Sequence, residues 1–350
     1  MEQQTMSGSI NVQDIPVVHN PRVTGGEVAC LWSTFQQYTM LSCVFSYFER
    51  TVQDQEIKAI ISDLMPRFSS RTRFAADIFR KEGIPIPMGL TDQDVNPDAP
   101  PLFSEIYILH FLKNMIRVSL TLNTLYLNIS SRPDIRDFYT GVLQEILEIN
   151  TRAIDLMLSK GVLPRPPYLS LALEIERVHE PSFLAGFLGE KRPLLTMEVA
   201  HIYQNALSNE VGRALLMGFR QVSRNREVQD YFEKGMRLAD NIIRELLQLT
   251  RDQQVYPTLV HDEDITACTE APFSDKLMMA MTALLNSIGI GMNGVAMGVS
   301  MRHDLHALYA KYMTQIGRYA EEGAKLMIAN DWLEEPPQIL DREKLAVYKH

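Results

Sequence analysis

Glu198-Val199-Ala200-His201 is the segment of this 350-residue chain whose spacing looks most like a metal-ligand pair. A Glu and a His three residues apart lie on one helix face. Di-iron and di-manganese bundles hold their metals with two such pairs plus a Glu from each of two other helices. Glu210 lies about 20° round the helix from Val199, at the centre of the apolar stripe. A carboxylate buried there needs a partner. Arg213, at i+3, is the local choice; a metal, or a hydroxyl from Tyr312 or Tyr319, is the alternative. Glu210, Glu198 and His201 are therefore the metal candidates. The second helix of each bundle carries no Glu-x-x-His, so the six-residue set is incomplete. No cofactor is expected; iron or manganese belongs to the alternative.

Other patterns point to weaker chemistry. His303 and His306 share the first turn of a helix, as zinc ligands or as a solvated pair. Gly289-Ile-Gly-Met-Asn-Gly294 reads as GxGxxG, but dinucleotide binding needs a preceding strand and the residues before it are helical. Its glycines suit a close helix approach, a kink or a contact with a second subunit. Asp92 and Asp94, and Asp262, Glu263 and Asp264, sit in loops without EF-hand spacing. Cys30, Cys43 and Cys268 are an odd, low number, as in a reducing compartment. Cys30 and Cys43 share a helix about 20 Å apart and cannot pair within it. Of the 18 methionines, Met278, Met279, Met281, Met292 and Met297 mostly fall at core spacing.

An internal repeat positions these residues. A shift of 170 aligns Ser104 with Ser274, Asp94 with Asp264, Arg132-Pro133-Asp134 with Arg302-His303-Asp304, Tyr139 with Tyr309, and Pro166-Pro167 with Pro336-Pro337. In the first two helices the shift is 171: Glu27-Val28-Ala29 aligns with Glu198-Val199-Ala200. Each copy shows four helical segments, near 25–51, 54–82, 104–130 and 133–161, then near 196–223, 226–253, 274–299 and 302–329. Thr24 with Glu27 forms a capping box, Thr196 can cap the equivalent helix, Ser104 and Ser274 suit N-caps, and Gly161 suits a C-terminal cap. Within each copy the first and last connections are short. The middle one, of about 20 residues, can span a helix about 40 Å long. Short, long, short is the ferritin-like arrangement of an antiparallel four-helix bundle. The expected organisation is an N-terminal tail (1–23), a bundle (24–162), a linker (163–195), a second bundle (196–340) and a C-terminal tail (341–350). Phe183, Leu184, Phe187 and Leu188 of the linker are expected to pack between the copies.

Hydrophobic residues make up 46% and charged residues 22%, the balance of a globular protein, and the formal charge is −9. Nucleic acid and anionic membranes, which call for clustered Lys and Arg, are not the expected partners. The N-terminus has no signal-peptide core. Leu277 to Met301 carries no acid or Lys, but its repeat counterpart holds Lys113 and Arg117, so a buried helix is expected and not a membrane span.

Several segments also resemble a known family. They are Ile84-Pro-Ile-Pro87, Asp94-Val-Asn96, Pro164-Arg-Pro-Pro-Tyr168, Ser182-Phe-Leu-Ala-Gly-Phe187, Gly189-Glu-Lys-Arg-Pro-Leu194, Glu270-Ala-Pro-Phe-Ser-Asp-Lys-Leu-Met-Met279 and Asp331-Trp-Leu-Glu-Glu-Pro-Pro337. Over about residues 24–340 the chain resembles a domain-of-unknown-function family of tandem ferritin-like bundles from Bacillus-type spore formers, similar in fold to spore coat protein F. The resemblance implies no activity and no catalytic residues. With the incomplete ligand set, it implies a non-enzymatic structural or assembly protein, spore-associated, that partners itself or other spore proteins; the missing signal-peptide core and the few cysteines make the cytoplasm the expected location. A ferritin-like metal-binding protein or di-metal oxidoreductase is the alternative.

Overall fold

The computed structural model describes residues 21–171, 177–187, 191–255 and 265–342. Both tails lie largely outside these residues, as do Leu188, Asp262, Glu263 and Asp264. The protein is all-α in two tandem copies: α1 (Gly25–Thr51), α2 (Gln55–Glu82), α3 (Glu105–Ile129) and α4 (Pro133–Ser159), then α5 (Thr196–Val222), α6 (Arg226–Arg251), α7 (Asp275–Val299) and α8 (His303–Ala329).

The starts of these helices follow local chemistry. Thr24 and Glu27 form the reciprocal capping box of α1. Asp54 and Asn225 accept the first amides of α2 and α6. Ser104 and Ser274 cap α3 and α7. Gly83 and Gly161 end α2 and α4 in the left-handed conformation. Thr196 is not a cap. It is the first residue of α5, and Leu195 holds the cap position with its amide on Glu198 Oε2 at 2.9 Å.

Bonds between helix ends fix the topology. Lys160, after α4, reaches Asp54, before α2, at 2.6 Å. Glu27, at the start of α1, bonds the turn between α3 and α4. Glu105, at the start of α3, accepts the Asp54 amide just beyond α1. So α1 runs antiparallel to α2 and α3, and α4 antiparallel to α3 and α2. The second copy repeats this square of neighbours. The long α2–α3 connection must then run the length of the bundle.

The two copies are welded into one core. α3 packs on α5, and α1 packs on α7. Under the repeat these are the same contact made twice, so an approximate twofold relates the bundles. The crossover loops pair across it through two antiparallel bridges, Val95 with Phe273 and Phe103 with Ile265. Each is the repeat equivalent of the other. Phe273 stands among Tyr47, Phe48 and Phe219, and Phe103 among Phe48, Tyr107 and Phe219. Gly218 makes room for Phe103: a Cβ there would lie 2.6 Å from the ring. The largest buried cluster is continuous from Tyr38 to Met327, through both copies.

Among the described linker residues, Phe183, Leu184 and Phe187 do not pack between the copies as their apolar character suggests. Phe187 is 67% exposed and Leu184 is exposed too. Phe183 lies under the Arg192 guanidinium, 4.3 Å from its ring centre, and Gly186 is pressed against the Asp304 backbone at the start of α8. The phenylalanines of the crossover loops already fill the seam.

Helix α7 is long and apolar enough to cross a membrane by length and composition, yet only a third of its most apolar stretch is buried. That is less than the buried helix expected from the sequence. One face packs on α5 and α8, and its edge at Leu284 and Ser287 borders α1. The other, Ala283, Ser287, Gly291, Val295, Gly298 and Val299, is exposed.

Candidate functional site

Glu27 and Glu198 occupy equivalent places and are both 0% exposed. Glu27 accepts five hydrogen bonds: Thr24 N and Oγ1 on Oε2, and Ser131 N and Oγ with Arg132 N on Oε1, at 2.8–3.1 Å. Glu198 also accepts five. Leu195 N and Arg192 Nη1 reach Oε2; Met301 N, Arg302 N and Arg192 Nη2 reach Oε1. Three peptide donors are common to both copies. The Thr24 and Ser131 hydroxyls of the first have no counterparts at Leu195 and Met301, and the Arg192 guanidinium takes their place. Burial alone would raise both carboxyls. Peptide donors from Thr24, Arg132 and Ser131 overcome it and hold Glu27 down to about 2. For Glu198, also held to about 2, Arg192 does most of the work. Each carboxylate ties the start of one helix to the turn between two others.

The remaining metal candidates do not join it. His201 is half-buried on the next turn of α5, and burial lowers its pKa. Glu210 lies mid-helix and bonds Arg213 Nη2 at 3.2 Å, the local partner its spacing allows; Arg213 Nε also meets Asp240 at 3.3 Å. Of the tyrosines considered for Glu210, Tyr312 donates to Glu245 at 3.0 Å and Tyr319 stacks on Tyr231 at 4.2 Å. A di-metal centre would occupy the bundle interior. The interior of copy one instead carries neutral groups paired with one another: Thr34 with Tyr139 at 2.9 Å, Asn123 with Tyr38 at 3.2 Å, Gln37 with Ser119 at 3.4 Å. Among the described residues no three His, Cys, Asp or Glu side chains gather as a metal would need. The candidate carboxylates are taken up separately, Glu198 by its five donors and Glu210 by Arg213.

The other motifs have local roles. His306 Nε2 meets the Ser300 carbonyl at 2.6 Å, and its ring is 6.4 Å from that of His303. Asp94 accepts from Thr91 N and, at 2.7 Å, from Ser274 Oγ, so it pins one crossover loop to the other copy. The GxGxxG residues lie inside α7. Cβ atoms at Gly289 and Gly294 would meet Ile316 and Met313 at 3.7 Å, whereas Gly291 and Gly298 face open space. Burial pushes Cys30 up to about 11 and Cys43 up to about 12, so neither is a thiolate nucleophile at neutral pH.

Sequence reasoning missed Arg192, Arg132 and Arg302. Arg132 and Arg302 each grip the Asp two residues on with Nε and Nη2, at 2.6–3.0 Å. The signal was present: Arg-x-Asp recurs at both aligned positions.

No curated protein matches the chain. One similar solved structure is that of a "putative spore coat protein" from Bacillus halodurans, 17% identical, with a TM-score of 0.38, over 43% of this chain and 98% of that one. The sequence model of DUF3231, described as a protein of unknown function, matches residues 15–172 and again residues 182–345. Two tandem matches spanning most of its length show that the chain belongs to the DUF3231 family.

Proposed function

We propose that this is a non-enzymatic structural or assembly protein that works by self-association, made in the cytoplasm and spore-associated. The outer face of α7 carries the reading. Val295 and Met301 are each 49% exposed, and with Val299 they continue the stripe of Ala283, Ser287, Gly291 and Gly298. An exposed apolar face of this kind marks a contact surface. After Lys276 no charge occurs until Arg302, so two such faces meet without burying an unpaired charge. The open glycines let two helix backbones approach closely. Spore association rests on the motif resemblance alone, and a fluorescent fusion followed through sporulation tests it.

In sedimentation analysis at tens of micromolar the chain is expected to form a dimer or larger species. Val295→Lys would place like charges across a twofold contact and is expected to weaken it by about tenfold or more, with the helical spectrum unchanged. A wild-type chain that stays monomeric at about 100 µM, where weak contacts of Kd in the micromolar range are populated, would retire self-association.

The ferritin-like alternative has its own test. After loading with iron or manganese and desalting, the chain is expected to retain no stoichiometric metal. One or two ions per chain, lost in Glu210→Ala, would reinstate the metal-binding reading.

A further inference from the structure

The twofold seam produces two equivalent cavities, and they differ in charge. One, of about 120 Å³, lies where α3 meets α5, under the linker. Its sister, of about 300 Å³, lies where α7 meets α1. The repeat relates part of their linings. His110 corresponds to Ala280, Asn114 to Leu284, Arg117 to Ser287 and Tyr203 to Trp32. Lys113, which lines the first cavity, corresponds to Ala283. The sister is neutral and the first is cationic.

Among the described residues the cations of the first cavity lack counter-charges. Lys113 Nζ donates to Asn150 Oδ1 at 2.8 Å. Arg117 spends Nη2 on Asn114 Oδ1 and Ser208 Oγ, at 2.7 and 2.8 Å, and its Nη1 is buried with no partner. Among the described residues no carboxylate lines the cavity or comes within 4.0 Å of either cation. The two cations sit at i, i+4 on α3, where like charges repel. Tyr203 adds a second orphan: it is 2% exposed, and its buried hydroxyl has no partner. Burial lowers the pKa of Arg117 to about 10. It also lowers that of Lys113, with the Arg117 charge adding to the effect.

The fold does not require this arrangement. The sister position carries Ala283, Ser287 and Trp32 instead. A buried guanidinium nitrogen without a partner, an ammonium and an orphan hydroxyl, all on residues that line one cavity, with a positive charge its twin does not carry, mark a ligand site. We infer that the α3–α5 cavity binds a small oxyanion, a phosphate or a compact carboxylate, through Arg117, Lys113 and the Tyr203 hydroxyl. Guanidinium and ammonium groups both bind phosphate and carboxylate oxygens, and charge-assisted bonds of this type are the strong ones. Its volume of about 120 Å³ suits a compact anion.

The test is isothermal titration of the full chain with sodium phosphate and, separately, with sodium succinate, at pH 7 in low chloride. At least one is expected to bind with Kd below about 1 mM. Arg117→Ser and Lys113→Ala borrow the residues of the equivalent sister positions, Ser287 and Ala283, and Tyr203→Phe removes only the hydroxyl. Arg117→Ser and Lys113→Ala are each expected to weaken binding by about tenfold or more, and Tyr203→Phe by about threefold. Binding of phosphate alone assigns a phosphate site, and binding of succinate alone a carboxylate site; both support the inference. It is overturned if neither anion binds at up to about 10 mM, or if Arg117→Ser, with wild-type helicity, binds as tightly as the natural chain.

Discussion

Glu198→Ala is expected to cost about 3–5 kcal/mol of folding stability, among the largest single-residue effects in the protein. The substitution leaves the Leu195, Met301 and Arg302 amides and the Arg192 guanidinium facing an apolar gap. A buried donor left unmade costs more than a made bond contributes. Glu27→Ala is expected to cost somewhat less, about 2–4 kcal/mol, because two of its five donors are hydroxyls able to rotate to other acceptors. Glu198→Gln keeps the shape but turns an amide NH2 toward peptide N–H groups, and so should lose most of the same stability. Urea denaturation measures all three. A loss below about 1 kcal/mol in Glu198→Ala would mean that water replaces the carboxylate and that the end cap is not a keystone.

The same carboxylates predict an acid limb. Both are held near 2 in the folded chain, against an ordinary 4.5. Their stabilisation is complete above about pH 4.5 and is lost as pH falls toward 2, because the unfolded chain takes up the protons first. At about 1.4 kcal/mol per unit, each contributes about 3 kcal/mol across that window. Asp54, Asp63, Asp134 and Asp304 are also lowered and act with the same sign. Stability of the Glu27→Gln/Glu198→Gln double variant should therefore depend visibly less on pH between 5 and 3 than that of the natural chain.

The contrast between Glu198 and Glu210 shows what sequence can and cannot disclose. Helix periodicity and loop length revealed the eight helices and their short, long, short connections, because both are local consequences of chain geometry. The Arg213 partner of Glu210 was legible for the same reason: it sits one turn away on the same helix. The partners of Glu198 were not. Two of its donors come from the turn after α7, about a hundred residues along the chain, and spacing carries no trace of them. The spacing of Glu-x-x-His fits a ligand pair and a first-turn acid alike, and the structure makes its Glu a cap. The linker misled in a related way, since apolar residues signal burial but not against what. Lys113 and Arg117 were visible as charges on a helix. Only their position against α5, and the neutral twin of their cavity, gives them meaning.

Phe273→Ala should test whether the two copies are one folding unit. The ring leaves its own bundle to sit among Tyr47 and Phe48 of the first copy and Phe219 of the second. It is 3% exposed. Truncating a ring so placed costs about 3–5 kcal/mol, because neighbours from two bundles cannot collapse together into the gap. Phe187→Ala, on the exposed linker, is the control and should change stability by less than about 0.5 kcal/mol. The chain's two tryptophans make the consequence observable. Trp32 packs against Phe79 in the first copy, and Trp332 packs on the shared core just beyond α8. Variants keeping one tryptophan each, Trp332→Phe and Trp32→Phe, report the halves separately. If the core is truly continuous, both probes give the same denaturation midpoint, and Phe273→Ala moves both down together. Midpoints already apart in the natural background would make the seam a contact between two independently stable domains. Midpoints that separate only in Phe273→Ala would identify this ring as the residue that couples them.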